Sequence, residues 1–103
     1  MPTLGGVVVA IMVITAYCAC PICTAPYSDG ITASGAKVTE GRTVAAGPSV
    51  PFGTALFIQG LGRREVEDRG GAIKDGHVDV YFDSHRDALN FGVRTLLVWR
   101  EIE

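Results

Sequence analysis

One hundred and three residues make a single domain and exclude the larger enzyme folds. Hydrophobic residues are 48% of the chain and charged ones 19%, enough apolar material for one core in a chain that folds alone. Nine Lys and Arg against eleven Asp and Glu leave a formal charge of −2, so no basic field attracts nucleic acid or an anionic membrane surface. Thirteen glycines point to a turn-rich β architecture rather than a helical bundle.

The first apolar stretch, Leu4 to Ile14, is interrupted by Gly5 and Gly6 and is far shorter than the ~20 residues a membrane-spanning helix needs. No Lys or Arg precedes it and no clear small-x-small cleavage site follows, which argues against a secretory leader. Its β-branched residues read as a buried first strand running into Thr15, Ala16 and Tyr17. Residues 1–13 are therefore set apart as a strand extension or leader remnant, and 14–103 as the domain proper.

All three cysteines fall together at Cys18, Cys20 and Cys23. Zinc with a fourth ligand from His77 or His85 fits the chemistry of such a cluster, but a second paired half is missing. One disulfide with a spare thiol, or three reduced thiols, are the simpler readings, so no metal and no cofactor is expected. From Asp29 to Pro51 the chain breaks repeatedly at Gly, Ser and Pro, as short strands and turns do. Ala55 to Ile58 is a continuous apolar run between Gly53 and Gly60, expected to be a strand buried on both faces. Gly60 and Gly62 turn the chain into a strand from Arg64 to Asp68.

His77 to Phe82 alternates strictly, placing Val78, Val80 and Phe82 on one face and His77, Asp79 and Tyr81 on the other. Ser84 followed by Asp87 reads as a cap opening a short helix that closes at Gly92. Val93 to Trp99 forms the last strand. About six short strands and one helix are the profile of a small closed β-barrel, an all-β fold. Phe52, Phe57, Phe82, Phe91 and Trp99 are expected in the core, and Tyr17, Tyr27 and Tyr81 along a wet groove.

Asp68 and Asp79 lie on two strands flanking the glycine loop, where they can be neighbours across a groove. Two carboxylates in unlike environments suit glycosidic bond cleavage, one donating a proton to the leaving oxygen and the other staying ionised. The competing reading pairs Asp68 with Arg69 or Arg64, and Asp79 with Lys74, as surface ion pairs. Gly70 and Gly71 let the backbone of this loop approach a ligand closely.

Several segments, in order and at matching spacing, carry a resemblance. They are Thr15-Ala16-Tyr17-Cys18, Gly30-Ile31-Thr32-Ala33-Ser34-Gly35, Val44-Ala45-Ala46, Pro51-Phe52-Gly53-Thr54, Asp68-Arg69-Gly70-Gly71-Ala72-Ile73-Lys74, Val78-Asp79-Val80-Tyr81-Phe82 and Ser84-His85. In these the chain resembles the 3D, or three-aspartate, domain. That family is similar to the catalytic barrel of MltA-type lytic transglycosylases and to stationary-phase-survival muralytic enzymes. The resemblance implies a six-stranded double-psi β-barrel with one short helix, the peptidoglycan glycan strand as partner, and an extracytoplasmic location, with a monomer assumed. It implies Asp79 as general acid and base with Asp68 as its partner, and substrate contacts from Gly70, Gly71, Lys74, His77, Tyr81 and Thr54. The chain departs from the family at Gly47, where the first aspartate normally stands. A non-catalytic wall-binding or wall-loosening barrel, comparable to expansins, is the alternative that Gly47 motivates. Asp75 lies in a different loop and is not expected to replace the missing acid.

Overall fold

The computed structural model describes residues 6–19, 30–70 and 72–102. The strands are β1 (Gly6–Tyr17), β2 (Thr43–Ala46), β3 (Ala55–Ile58), β4 (Gly62–Asp68), β5 (His77–Tyr81) and β6 (Arg94–Ile102), with α1 (His85–Phe91) between the last two. They close into a barrel in the order β1-β5-β2-β4-β3-β6. The pairs β1/β5 and β2/β4 are parallel and the other four are antiparallel. Closure gives each strand a neighbour on both sides within the barrel, which shields the edges of so small a sheet; only the far ends of β1 and β6, paired with each other alone, keep open edges. The expected six-stranded barrel with one helix is thus the observed architecture.

The interior follows from alternation. Ile14, Val44, Ala46, Leu56, Ile58, Val66, Val78, Val80 and Val98 meet in one cluster closed by Phe91 from α1. Fully burying a side chain of this size stabilises by about 1.5–3 kcal/mol. β3 departs from the expectation of burial on both faces: only Leu56 and Ile58 are buried, and Ala55 and Phe57 are half-buried. A short strand in a closed barrel has one interior face, so an unbroken apolar run still alternates.

Ser84 caps α1, its Oγ accepting from the Asp87 amide at 3.2 Å. Gly92 ends the helix at φ 69° and donates its N–H to Ala88, a left-handed turn that L side chains rarely adopt. β6 runs three residues past the expected end at Trp99, to Ile102, because β1 pairs with it from Gly6 onward. The molecule measures 47 × 26 × 21 Å. Phe52 and Trp99 do not join the core. They are 44% and 37% exposed, Trp99 stacking on Phe57 at 6.0 Å and Phe52 lying under the Arg69 guanidinium.

Candidate functional site

Register sets the site. Thr15 on β1 pairs with Asp79 on β5, Asp79 with Ala45 on β2, and Ala45 with Asp68 on β4. Paired residues point to the same face of a sheet, so these four form a row on the side of the sheet away from the core, reached at Asp68 through a register shift between Val44 and Ala45, with Ala45 itself buried. Val44, Ala46, Val78 and Val80 point inward beside them. The two acids anticipated from alternation and loop spacing are therefore separated by one strand, with an alanine methyl between them.

The acids occupy unlike environments. Asp68 Oδ2 accepts from the Tyr17 hydroxyl at 2.8 Å, and its Oδ1 accepts from the amides of Ala33 and Arg69, both at 2.9 Å. Three donors fix it as an acceptor. Asp79 is half-buried, and Thr15 Oγ1 donates to its Oδ1 at 2.8 Å. Burial, the largest influence, pushes the Asp79 carboxyl above its ordinary value. The Thr15 hydrogen bond and His77 pull it down, and Asp68 adds to the rise. Burial and then Asp68 likewise push the Tyr17 phenol well above its ordinary value, keeping it a donor.

His77, one step before Val78 on β5, places Nε2 2.7 Å from Thr15 Oγ1. It also lines a cleft at the open end of the barrel, together with Ala10, Met12, Gly47, Asp75 and Trp99. Neither Asp68 nor Asp79 lines that cleft, so His77 is the residue shared by the carboxylate row and the cleft. The paired acids lie in the row, and the cleft lining is mostly apolar.

The remaining expected contacts divide. Lys74 and Gly70 are exposed on the β4–β5 loop, and Gly71 lies outside the described residues. Thr54 turns its hydroxyl to the Pro51 carbonyl at 2.7 Å, closing the turn before β3. Tyr81 is not in a wet groove: it is buried, 6% exposed, with its ring edge-on to Tyr17 at 5.5 Å. The surface ion pairs of the competing reading are not formed. Among the described residues the one salt bridge joins Arg42 to Glu67 at 3.1 Å, and Arg69 donates instead to the carbonyls of Val50 and Ala46, bracing the β2–β3 loop.

Position 47 lies against the Asp75 loop. A Cβ built on Gly47 would lie 2.3 Å from Asp75 Oδ1, 2.4 Å from the Asp75 nitrogen and 2.6 Å from the Lys74 carbonyl carbon. Separation in sequence did not keep Asp75 away: its loop folds back onto Gly47, and its carboxylate fills the space a side chain there would need. Asp75 Oδ1 accepts the Ser49 amide at 3.1 Å, and Ser49, ahead of nearby Arg69, holds this carboxyl below its ordinary value.

Sequence reading missed Thr15 as the partner of Asp79, and the Glu67 network. Glu67 is 6% exposed and takes the Thr43 hydroxyl at 2.7 Å as well as Arg42. The outward position of Thr15 in an alternating strand was the available signal for the first. Nothing local marks Glu67 as buried, since β2 and β4 meet only in the folded barrel. Cys18 is buried with Sγ 3.4 Å from His85 Nδ1, and Cys20 and Cys23 lie outside the described residues, as does Tyr27.

The family model described as the 3D domain matches residues 42–100. The chain is 37% identical over 73 residues to the cell wall-binding protein YocH of Bacillus subtilis, covering 67% of this chain and 25% of YocH. It is 32% identical over 73 residues to the putative cell wall shaping protein YabE of the same organism, covering 18% of that protein. The crystal structure of MltA from E. coli matches with a TM-score of 0.60 at 26% identity, over 70% of this chain and 27% of MltA. The chain thus spans about a quarter or less of the relatives it matches. A family match over more than half of its length, carried on an MltA-like barrel, makes this chain a member of the 3D domain family.

Proposed function

We propose that this domain binds the glycan strand of peptidoglycan outside the cytoplasmic membrane and cleaves it as a lytic transglycosylase, with Asp79 as general acid and base. The observation that carries this reading is the outward-facing, half-buried Asp79 carboxyl, with raised proton affinity, one strand from the fully hydrogen-bonded Asp68. A protonated Asp79 donates to the glycosidic oxygen as the C1–O bond between N-acetylmuramic acid and N-acetylglucosamine breaks. The resulting carboxylate takes the proton of the muramyl C6 hydroxyl as O6 bonds to C1, leaving a 1,6-anhydro end without water. Asp68 supplies a fixed negative charge close to the developing oxocarbenium ion. The names of YocH and YabE and the MltA-like barrel support the choice of substrate.

Gly47 favours a second reading, a barrel that holds the wall without cutting it. Incubation with purified insoluble peptidoglycan separates the two, with mass spectrometry of the supernatant and measurement of protein in the pellet. Cleavage predicts soluble muropeptides from the wild type and none from Asp79→Asn, with both proteins found in the pellet. Pelleting without products supports the binding barrel, and no pelleting overturns both.

A further inference from the structure

Thr15 Oγ1 lies between two partners, 2.8 Å from Asp79 Oδ1 and 2.7 Å from His77 Nε2. A hydroxyl has a single proton to give. If it goes to Asp79, the Thr15 oxygen must accept, and His77 must carry its proton on Nε2. If it goes to His77, then Nε2 is bare and Oδ1 of Asp79 must itself carry a proton toward Thr15. The two arrangements place the Asp79 proton on different oxygens. In the first, Oδ1 is occupied by Thr15, and Oδ2 is the oxygen left to hold and deliver the acid's proton. Among the described residues no donor meets Oδ2.

The geometry points to His77 as a positioning residue. We propose that its Nε2–H fixes the Thr15 hydroxyl so that Thr15 donates to Oδ1 and the transferable proton of Asp79 resides on Oδ2. His77 is fit for this task because the parallel β1/β5 register puts Val13 beside it and Thr15 two residues on, the spacing at which successive outward side chains meet. The other titratable groups around Asp79 are Asp68 on β4 and Tyr17 on β1. Tyr17 directs its hydroxyl to Asp68, which leaves Thr15 as the group that orients Asp79. The inference rests on the proposed role of Asp79, but its first test does not require turnover.

That test is NMR on the free protein. Long-range proton–nitrogen spectra of neutral His77 are expected to show the Nε2–H form. Carboxyl-carbon titration is expected to move Asp79 upward in Thr15→Val and in His77→Phe, and less in His77→Gln, whose amide still donates to Thr15. An Nδ1–H form, or an unchanged Asp79 titration in His77→Phe, overturns the proposal. With turnover, His77→Phe is expected to lower kcat roughly 10- to 100-fold, as small misplacements of a reacting group do. The acidic limb of the rate profile should be displaced, and the rate largely restored in His77→Gln. If the wild type releases no products, the transglycosylase reading fails, while the tautomer and the titration still decide the role of His77.

Discussion

Placing an acid at position 47 is the substitution that the resemblance to the 3D domain invites and that the barrel resists. Any Cβ at Gly47 falls 2.4 Å from the Asp75 nitrogen and 2.6 Å from the Lys74 carbonyl carbon, both backbone atoms, as well as 2.3 Å from the Asp75 carboxylate oxygen. Real Cβ atoms do not approach so closely, and backbone cannot swing aside as the tip of a flexible side chain does. The 74–75 loop must therefore move as a piece, breaking the Ser49-to-Asp75 hydrogen bond and disturbing the His77-to-Lys74 amide bond that starts β5. Two carboxylates would also share one space. Overpacking of this kind costs about 1–3 kcal/mol. Urea denaturation of Gly47→Asp, Asp75→Gly and the double variant measures it. Gly47→Asp is expected to lower the midpoint at unchanged slope, and Asp75→Gly in the same chain to restore part of the loss, because it removes one carboxylate and frees the loop backbone. Coupling of this sign is what residues in direct contact show. A Gly47→Asp protein as stable as the wild type, or strictly additive effects in the double variant, would refute the contact between these positions.

Further expectations follow from the carboxylates. The Asp79 carboxyl titrates above the unfolded value of about 3.9, so it favours folding at low pH, and that contribution is lost as pH rises through its native value. Asp79→Asn is therefore expected to raise Tm near pH 7, by an amount that shrinks as pH falls toward about 4; a lower Tm at neutral pH would contradict the assigned direction. Tyr17→Phe removes one of three donors to Asp68 and should cost roughly 1–2 kcal/mol in urea denaturation; no loss would mean that the bond is not maintained in solution. Glu67→Ala leaves the Thr43 hydroxyl, on a residue that is 0% exposed, without the acceptor it now has. A loss of about 1–3 kcal/mol is expected, and a neutral result would show that Thr43 finds another partner.

How much was legible depended on whether the determinant was local. Alternation in His77 to Tyr81 separates core from surface because period two is a property of any strand, and it correctly turned Asp79 outward. The cap at Ser84 and the stop at Gly92 are equally local. Tyr81 went the other way, since its neighbour Tyr17 comes from 64 positions earlier by way of the parallel β1/β5 pairing. The Thr15, Asp79, Ala45 and Asp68 row depends on three separate registers, which no spacing within one segment encodes. Gly47 and Asp75 show the same limit, for the loop that joins them in space closes only when β5 docks on β2. Trp99 and Phe52 have the aromatic bulk expected of a core, but the space inside is filled mainly by smaller aliphatic residues.

In the proposed function, Asp79 drives cleavage through the muramyl C6 hydroxyl and not through water. Digestion of purified peptidoglycan in heavy-oxygen water, read by mass spectrometry of the released ends, tests it directly. The wild type is expected to give 1,6-anhydro ends free of heavy oxygen, and Asp79→Asn to release none. Ends that incorporate heavy oxygen, or equal release by the two proteins, would contradict it.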